Sequence, residues 1–209
     1  AMIHARIADG ILGESLLSGV AMPSLSWLQR YRPQKLPFRR HVTRAAVALI
    51  YRGSLNNGGE LFFIQRARRK GDPWSGDMAF PGGRLQLSDT SSRHTAMRET
   101  LEETGLDLFQ QGEYQARLSD LLTRHHSRWS PMVVTPHVFA WQGGDAMTLN
   151  HEARTGIWIP LDYLANPAHR STLQIRTPLG RLTFPCCRYQ GYCIWGLSYS
   201  MMQEFLRKR

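Results

Sequence analysis

Three carboxylates and one guanidinium fall within the six residues Arg98 to Glu103, in the stretch RETLEETG that stops at Gly105. On a helix, side chains three and four apart share a face, so Glu99, Glu102 and Glu103 converge, with Arg98 one turn before Glu102. Clustered carboxylates repel one another unless a cation compensates them, and Mg²⁺ or Mn²⁺ is the hard cation that oxygen donors suit. A solvated acidic helix face would satisfy the same pattern. The preceding loop favours the metal. Phe80-Pro81-Gly82-Gly83 sets two glycines ahead of the helix, where the backbone can approach a ligand or turn a carbonyl onto a cation, as a diphosphate site requires. Ser91 or Ser92 caps this helix, and Gly105 closes it in a left-handed conformation.

Around that helix the pattern is one of paired strands. AAVALIY, residues 45 to 51, reads as a buried strand, and Leu61 to Gln65 as its hairpin partner after the turn residues SLNNGG. A short strand is expected at Met78 to Phe80 inside a long Gly- and Pro-rich loop. Further strands are expected at Leu118 to Thr123, Met132 to Trp141 and Gly156 to Ile159. Leu182 to Phe184 and Tyr192 to Trp195 are expected to pair with each other, and Ser198 to Leu206 to form a terminal helix. Residues 8 to 31 carry helix-like spacing broken by Pro23, and YRPQKLPFRR after them is basic and proline-punctuated, which reads as a helical arm and a linker. The mixture places the chain in the α/β or α+β class, with residues 1 to 44 as arm and linker and 45 to 209 as one domain.

Composition narrows the setting. With 209 residues and 42% hydrophobic content the chain can bury one substantial core, and no run of 18 apolar residues offers a membrane span. The N-terminus lacks the layout of a secretory signal. Cys186, Cys187 and Cys193, odd in number and without CxxC spacing, read as reduced core or strand residues, so a reducing cytoplasm is expected. The net charge of +10 is carried almost wholly by arginine, and it is compatible with phosphorylated small molecules, with nucleic acid, or with solubility alone. The arginines are dispersed from Arg6 to Arg209, which disfavours nucleic acid as a partner.

Gly83, fourteen intervening residues and RETLEETGL closely resemble the signature of the Nudix hydrolase family, with Arg98, Glu99, Glu102, Glu103, Gly105 and Leu106 all matching. Thr100 replaces the usual aliphatic residue, Thr90 stands where the family's interior Glu would be, and the loop is one residue longer. The longer spacing resembles the coenzyme A diphosphatase branch. FPGG at 80 to 83, Asp89 and Ser91 in a D-x-S pattern, and TAMRE at 95 to 99 are similar to that branch. So are FFIQRA at 62 to 67 with GDMAF at 76 to 80, Val134-Thr135-Pro136, Glu152 with WIPL at 158 to 161, and IWGLS at 194 to 198. One extra residue separates the first two of these pieces, and Thr155 occupies a position usually acidic.

The resemblance covers roughly residues 45 to 202 and implies a Nudix-type α/β/α sandwich with a mixed curved sheet and a loop-helix-loop; the N-terminal helical arm lies outside it. The resemblance also implies Mg²⁺- or Mn²⁺-dependent hydrolysis of a nucleoside diphosphate derivative, coenzyme A or an acyl-CoA, to 3′,5′-ADP and (acyl-)phosphopantetheine. The alternatives are ADP-ribose, dinucleoside polyphosphates or another nucleotide, and an RNA-associated Nudix protein. Carried over residue by residue, Glu99, Glu102, Glu103 and the Gly83 carbonyl hold metal. Glu99 or Glu152 takes the water's proton, and Arg98 orients the carboxylates. Arg66, Arg84, Gly82 and Gly83 contact substrate. Apart from the resemblance, Arg68, Arg69 and Arg84 flank the glycine loop as candidate phosphate clamps or solvated arginines, Trp74 is an adenine stack or a residue buried under the loop, and His125-His126 a substrate contact, a base or, the commoner reading, a surface loop pair. The implied partner is a small nucleotide-diphosphate substrate, without a membrane, and a homodimer is allowed.

Overall fold

The computed structural model describes residues 26–54, 57–68, 75–124, 130–177 and 180–207. Helix α1 (Ser26–Arg30) leads through 3-10 turn Arg39–His41 into β1 (Thr43–Ser54) and β2 (Asn57–Arg66), followed by short strands β3 (Met78–Ala79) and β4 (Gly82–Arg84). Helix α2 (Ser92–Thr104), helix α3 (Leu108–Gln111) and strands β5 (Gly112–Arg117), β6 (Leu121–Arg124), β7 (Pro131–Trp141) and β8 (Ala153–Pro160) come next. Helix α4 (Leu161–Ala165), β9 (Arg170–Thr177), β10 (Gly180–Tyr189), β11 (Tyr192–Trp195) and helix α5 (Gly196–Phe205) complete the chain.

The apolar run of β1 has a direct cause: the strand is covered on both faces. Ala45, Leu49 and Tyr51 point into one core with Trp27, Leu28, Met201, Met202 and Phe205, so α1 and α5 cover that side. Ala46, Ala48 and Ile50 point into the other, with Ala96 of α2, Leu106 and Phe139. Strands buried on both faces read as continuous rather than alternating hydrophobics. The main sheet is mixed, in the order β3-β2-β1-β7-β5, with β1 and β7 parallel from Thr43↔Met132 to Tyr51↔Ala140. This is the expected α/β fold of three layers.

Several local expectations change. Leu118 to Thr123 is not one strand: β5 ends at Arg117 and β6 begins at Leu121, because Ser119 and Asp120 turn toward the chain's entry segment. Gln34 N–H donates to Ser119 Oγ at 3.1 Å, Asp120 N–H to the Gln34 carbonyl at 2.9 Å, and Leu36 N–H to Asp120 Oδ2 at 3.1 Å. The stretch read as a linker is thus bonded to the domain. Leu182 to Phe184 pair with Leu173 to Ile175 of β9, not with β11, which pairs instead with Cys186 to Tyr189. The register follows from a two-residue turn, Gln190 (φ 47°) and Gly191 (φ 87°), whose paired positive φ angles match the twist of a tight hairpin. Of the N-terminal arm, only α1 falls within the described residues. No helix among them is long and apolar enough to cross a membrane.

Candidate active site

Helix α2 begins and ends as its sequence dictates. Ser91 Oγ accepts from His94 N–H at 3.1 Å, and Gly105 (φ 74°) donates its N–H to the Leu101 carbonyl at 2.9 Å. Strand β4 lies against β1 with Ala46 opposite Gly83, which brings the double glycine beside the helix. Gly82 is sterically required, and Gly83 leaves room for the Glu99 carboxylate. A side chain at Gly82 would run into the Ala46 carbonyl and come within 2.6 Å of Val47 Cα, and one at Gly83 would overlap the Glu99 carboxylate.

Arg98 organises the acids. It forms a fork on Asp89, Nε to Oδ1 and Nη2 to Oδ2 at 3.0 Å each, and reaches Glu102 through Nη1 at 3.1 and 3.2 Å and Glu99 through Nη2 at 2.9 Å. Asp89 also accepts from Thr95 Oγ1 and from the Gln86 N–H, both at 2.9 Å, and meets His94 Nδ1 at 3.0 Å. The Arg98 guanidinium, above all, holds the Asp89 carboxyl well below the usual carboxylate range. Asp89, rather than Thr90, is therefore the acid that meets Arg98. It was legible only as one half of a D-x-S pattern.

Glu103 has the opposite environment. It is 3% exposed, and its carboxylate accepts from Gly82 N–H at 3.0 Å. Burial pushes it up to about 8, against that N–H and the Arg66 charge, and Glu99 and Glu152 add to the rise. Glu99 is also raised, chiefly by burial, with Arg98 opposing and Glu102 and Glu152 contributing. Glu102, 54% exposed at its side chain, faces solvent.

Glu152 reaches this group through backbone contacts that its sequence position does not reveal. Thr148 N–H donates to the Thr104 carbonyl at 2.8 Å and Asn150 N–H to that of Glu103 at 3.0 Å, so the loop before β8 is tied to the end of α2. Ala67 N–H then donates to the Glu152 carbonyl at 2.7 Å, and Arg66 pairs with Ala153 at the start of β8, so Glu152 lies beside the end of β2. Among the described residues no three carboxylate, imidazole or thiol groups already stand close enough to enclose a cation. The donor chemistry nonetheless fits a hard divalent ion: Glu103 is buried within the field of two further acids, and added positive charge would favour its charged form.

Arg66, Gly82, Gly83 and Arg84 line one cavity of about 280 Å³. Its remaining wall is largely apolar, with Met78, Phe80, Met132, Val134, Trp195 and Met201. Trp195 is half-buried at the point where β11 ends and α5 starts, while Met201 and Met202 are buried. Arg68 is exposed; Arg69, Trp74, His125 and His126 lie outside the described residues.

A family profile described as the NUDIX domain matches residues 41–176. An uncharacterized protein of Schizosaccharomyces pombe is 34% identical over 118 residues, 55% of this chain, which spans only 36% of that protein's length. A probable nudix hydrolase of the same yeast is 28% identical over 213 aligned residues, covering 98% of this chain and 70% of that protein. The crystal structure of a MutT/nudix family protein from Enterococcus faecalis matches with a TM-score of 0.51 at 17% identity, over 87% of this chain and 66% of that one. That last likeness is one of fold.

Proposed function

This chain belongs to the Nudix family, and from that premise we propose that it hydrolyses the pyrophosphate linkage of a nucleoside diphosphate derivative, coenzyme A or an acyl-CoA, to 3′,5′-ADP and (acyl-)phosphopantetheine. One observation carries the substrate reading. The segments that resemble the coenzyme A branch are distant in sequence, yet Arg66, Asp77 to Phe80, Gly82, Gly83, Val134 and Trp195 to Ser198 all line the same cavity beside the acidic helix.

The physical obstacle is charge, since a diphosphate repels a hydroxide and its leaving phosphate gains charge. Glu99, Glu102, Glu103 and the Gly83 carbonyl would hold Mg²⁺ or Mn²⁺, which neutralises the diphosphate and acidifies bound water. Arg98 keeps Glu99 and Glu102 in place through the bonds described above. Arg66 and Arg84, at the cavity wall, bind phosphate oxygens. Water oxygen attacks one phosphorus as the bridging P–O bond breaks, its proton passing to the Glu152 or Glu99 carboxylate. The bridging oxygen leaves as the second phosphate.

A panel of coenzyme A, acyl-CoAs, ADP-ribose and dinucleoside polyphosphates, incubated with Mg²⁺ or Mn²⁺ and resolved by product chromatography, tests the reading. Release of 3′,5′-ADP is expected. Turnover of ADP-ribose with coenzyme A inert would retire the substrate.

A further inference from the structure

Arg66, Asp77 and Arg84 are the charged residues that line the cavity, while Met132, Val134, Met201 and Trp195 line it with apolar surface. We propose that Trp195, with Phe184 beside it, is the specificity-determining wall of this site and takes an uncharged aliphatic arm carried by the substrate. The proposal rests on the diphosphate-hydrolase reading, because Arg66 and Arg84 must hold the phosphates for the arm to lie here.

Two observations favour an aliphatic arm over a ring of fixed size. First, the wall is made for adaptable contact. Met78, Met132 and Met201 are flexible thioethers, and the Phe80 ring already stacks on Phe63 at 4.6 Å between centroids, so it does not stand opposite Trp195 as the second face of a sandwich. Second, the apolar surface continues outward past Trp195. The Phe184 ring lies 5.6 Å from Trp195, and the β9–β10 register pairs Phe184 with Leu173 and Leu182 with Ile175 on one sheet face. Arg176 with Arg181 and Gln174 with Thr183 occupy the other face. Leu182 is 51% exposed. An apolar strip that starts in the cavity and runs into solvent fits arms of variable length.

Coenzyme A and its acetyl, butanoyl, hexanoyl and octanoyl thioesters are the probes. For the wild type, KM should fall along the series by up to roughly fourfold per buried methylene, with little change in kcat. In Trp195→Ala and in Phe184→Ser the loss should grow with arm length, and Trp195→Phe should restore part of the slope. A length-independent KM in the wild type, or a uniform loss across all arms, would overturn the proposal. Calorimetric titration of the same series into Glu103→Gln separates the claims. Length-dependent affinity without wild-type turnover keeps the wall and removes the hydrolase reading; turnover without length dependence does the reverse. Phe184→Ser converting a dimer to a monomer by light scattering, with the slope intact, would give this face to a second copy and end the proposal.

Discussion

Two buried carboxylates flank the same helix and differ in almost everything except burial. Asp89, before the N-terminus of α2, has a side chain with no exposure, a bidentate arginine and three further donors. Glu103, in the last turn, is nearly as buried, but it receives the Gly82 N–H and lies within the field of two other acids. The first is driven far toward its anion, the second toward its neutral form. A carboxylate with complete partners stabilises the fold; for one held among other acids, added positive charge favours the charged form. The contrast supports the proposed division of roles, with Asp89 positioning through Arg98 and Glu103 offered as a metal ligand.

The largest break in this comparison is Glu103→Gln, which retains shape and removes the charge. It should lower kcat by roughly two to four orders of magnitude while the folded circular dichroism spectrum persists. Added Mg²⁺ or Mn²⁺ should raise the Tm of chelator-treated wild type and leave that of Glu103→Gln in place, which differential scanning fluorimetry reads.

Asp89→Ala should act on the fold first, costing about 3 kcal/mol in urea unfolding, because it strips a buried acid from a largely buried arginine. Activity should fall with it as Arg98 loses its anchor. An unfolding curve like that of the wild type would dissolve the distinction between the two acids.

His137 extends the comparison to a base. It is 3% exposed, meets Ser92 Oγ at 3.0 Å and Tyr114 Oη at 3.4 Å, and is lowered to about 3 chiefly by burial, with Arg117, Arg93 and Arg39 adding to the fall and Asp120 opposing. The unfolded chain therefore takes up the proton first. Its stabilising contribution is full above about pH 6.5 and is lost as pH falls toward 3, so about 2 kcal/mol should disappear between pH 7 and pH 5. Urea titrations of wild type and His137→Gln at both pH values check this, and equal slopes would reject it. The smallest effect is Gly105→Ala. At φ 74°, with Thr148 N 3.0 Å from the added carbon, it should cost about 1 kcal/mol and loosen the loop that carries Glu152.

How much was legible depends on the range of the signal. The α2 caps, the acid spacing and the doubly buried β1 and β7 are written in contiguous residues, so periodicity and turn chemistry sufficed. Strand β9 was missed because RSTLQIRT is partly exposed along its length and offers weak alternation. The short α3 was missed too; it rests on Asp107 accepting from the Phe109 and Gln110 N–H groups. Asp120 gave no sign of its role, since its partners Leu36, Arg39, Arg117 and Thr135 are scattered along the chain.

The sequence by itself determined the acidic helix and its two ends, because backbone hydrogen bonding and capping act between near neighbours. Only the tertiary structure decided that Glu103 would be the acid without full compensation, that Glu152 would approach it, and that Trp195 would line a cavity. Desolvation and the field of other charges depend on which distant strands and loops are folded against a residue.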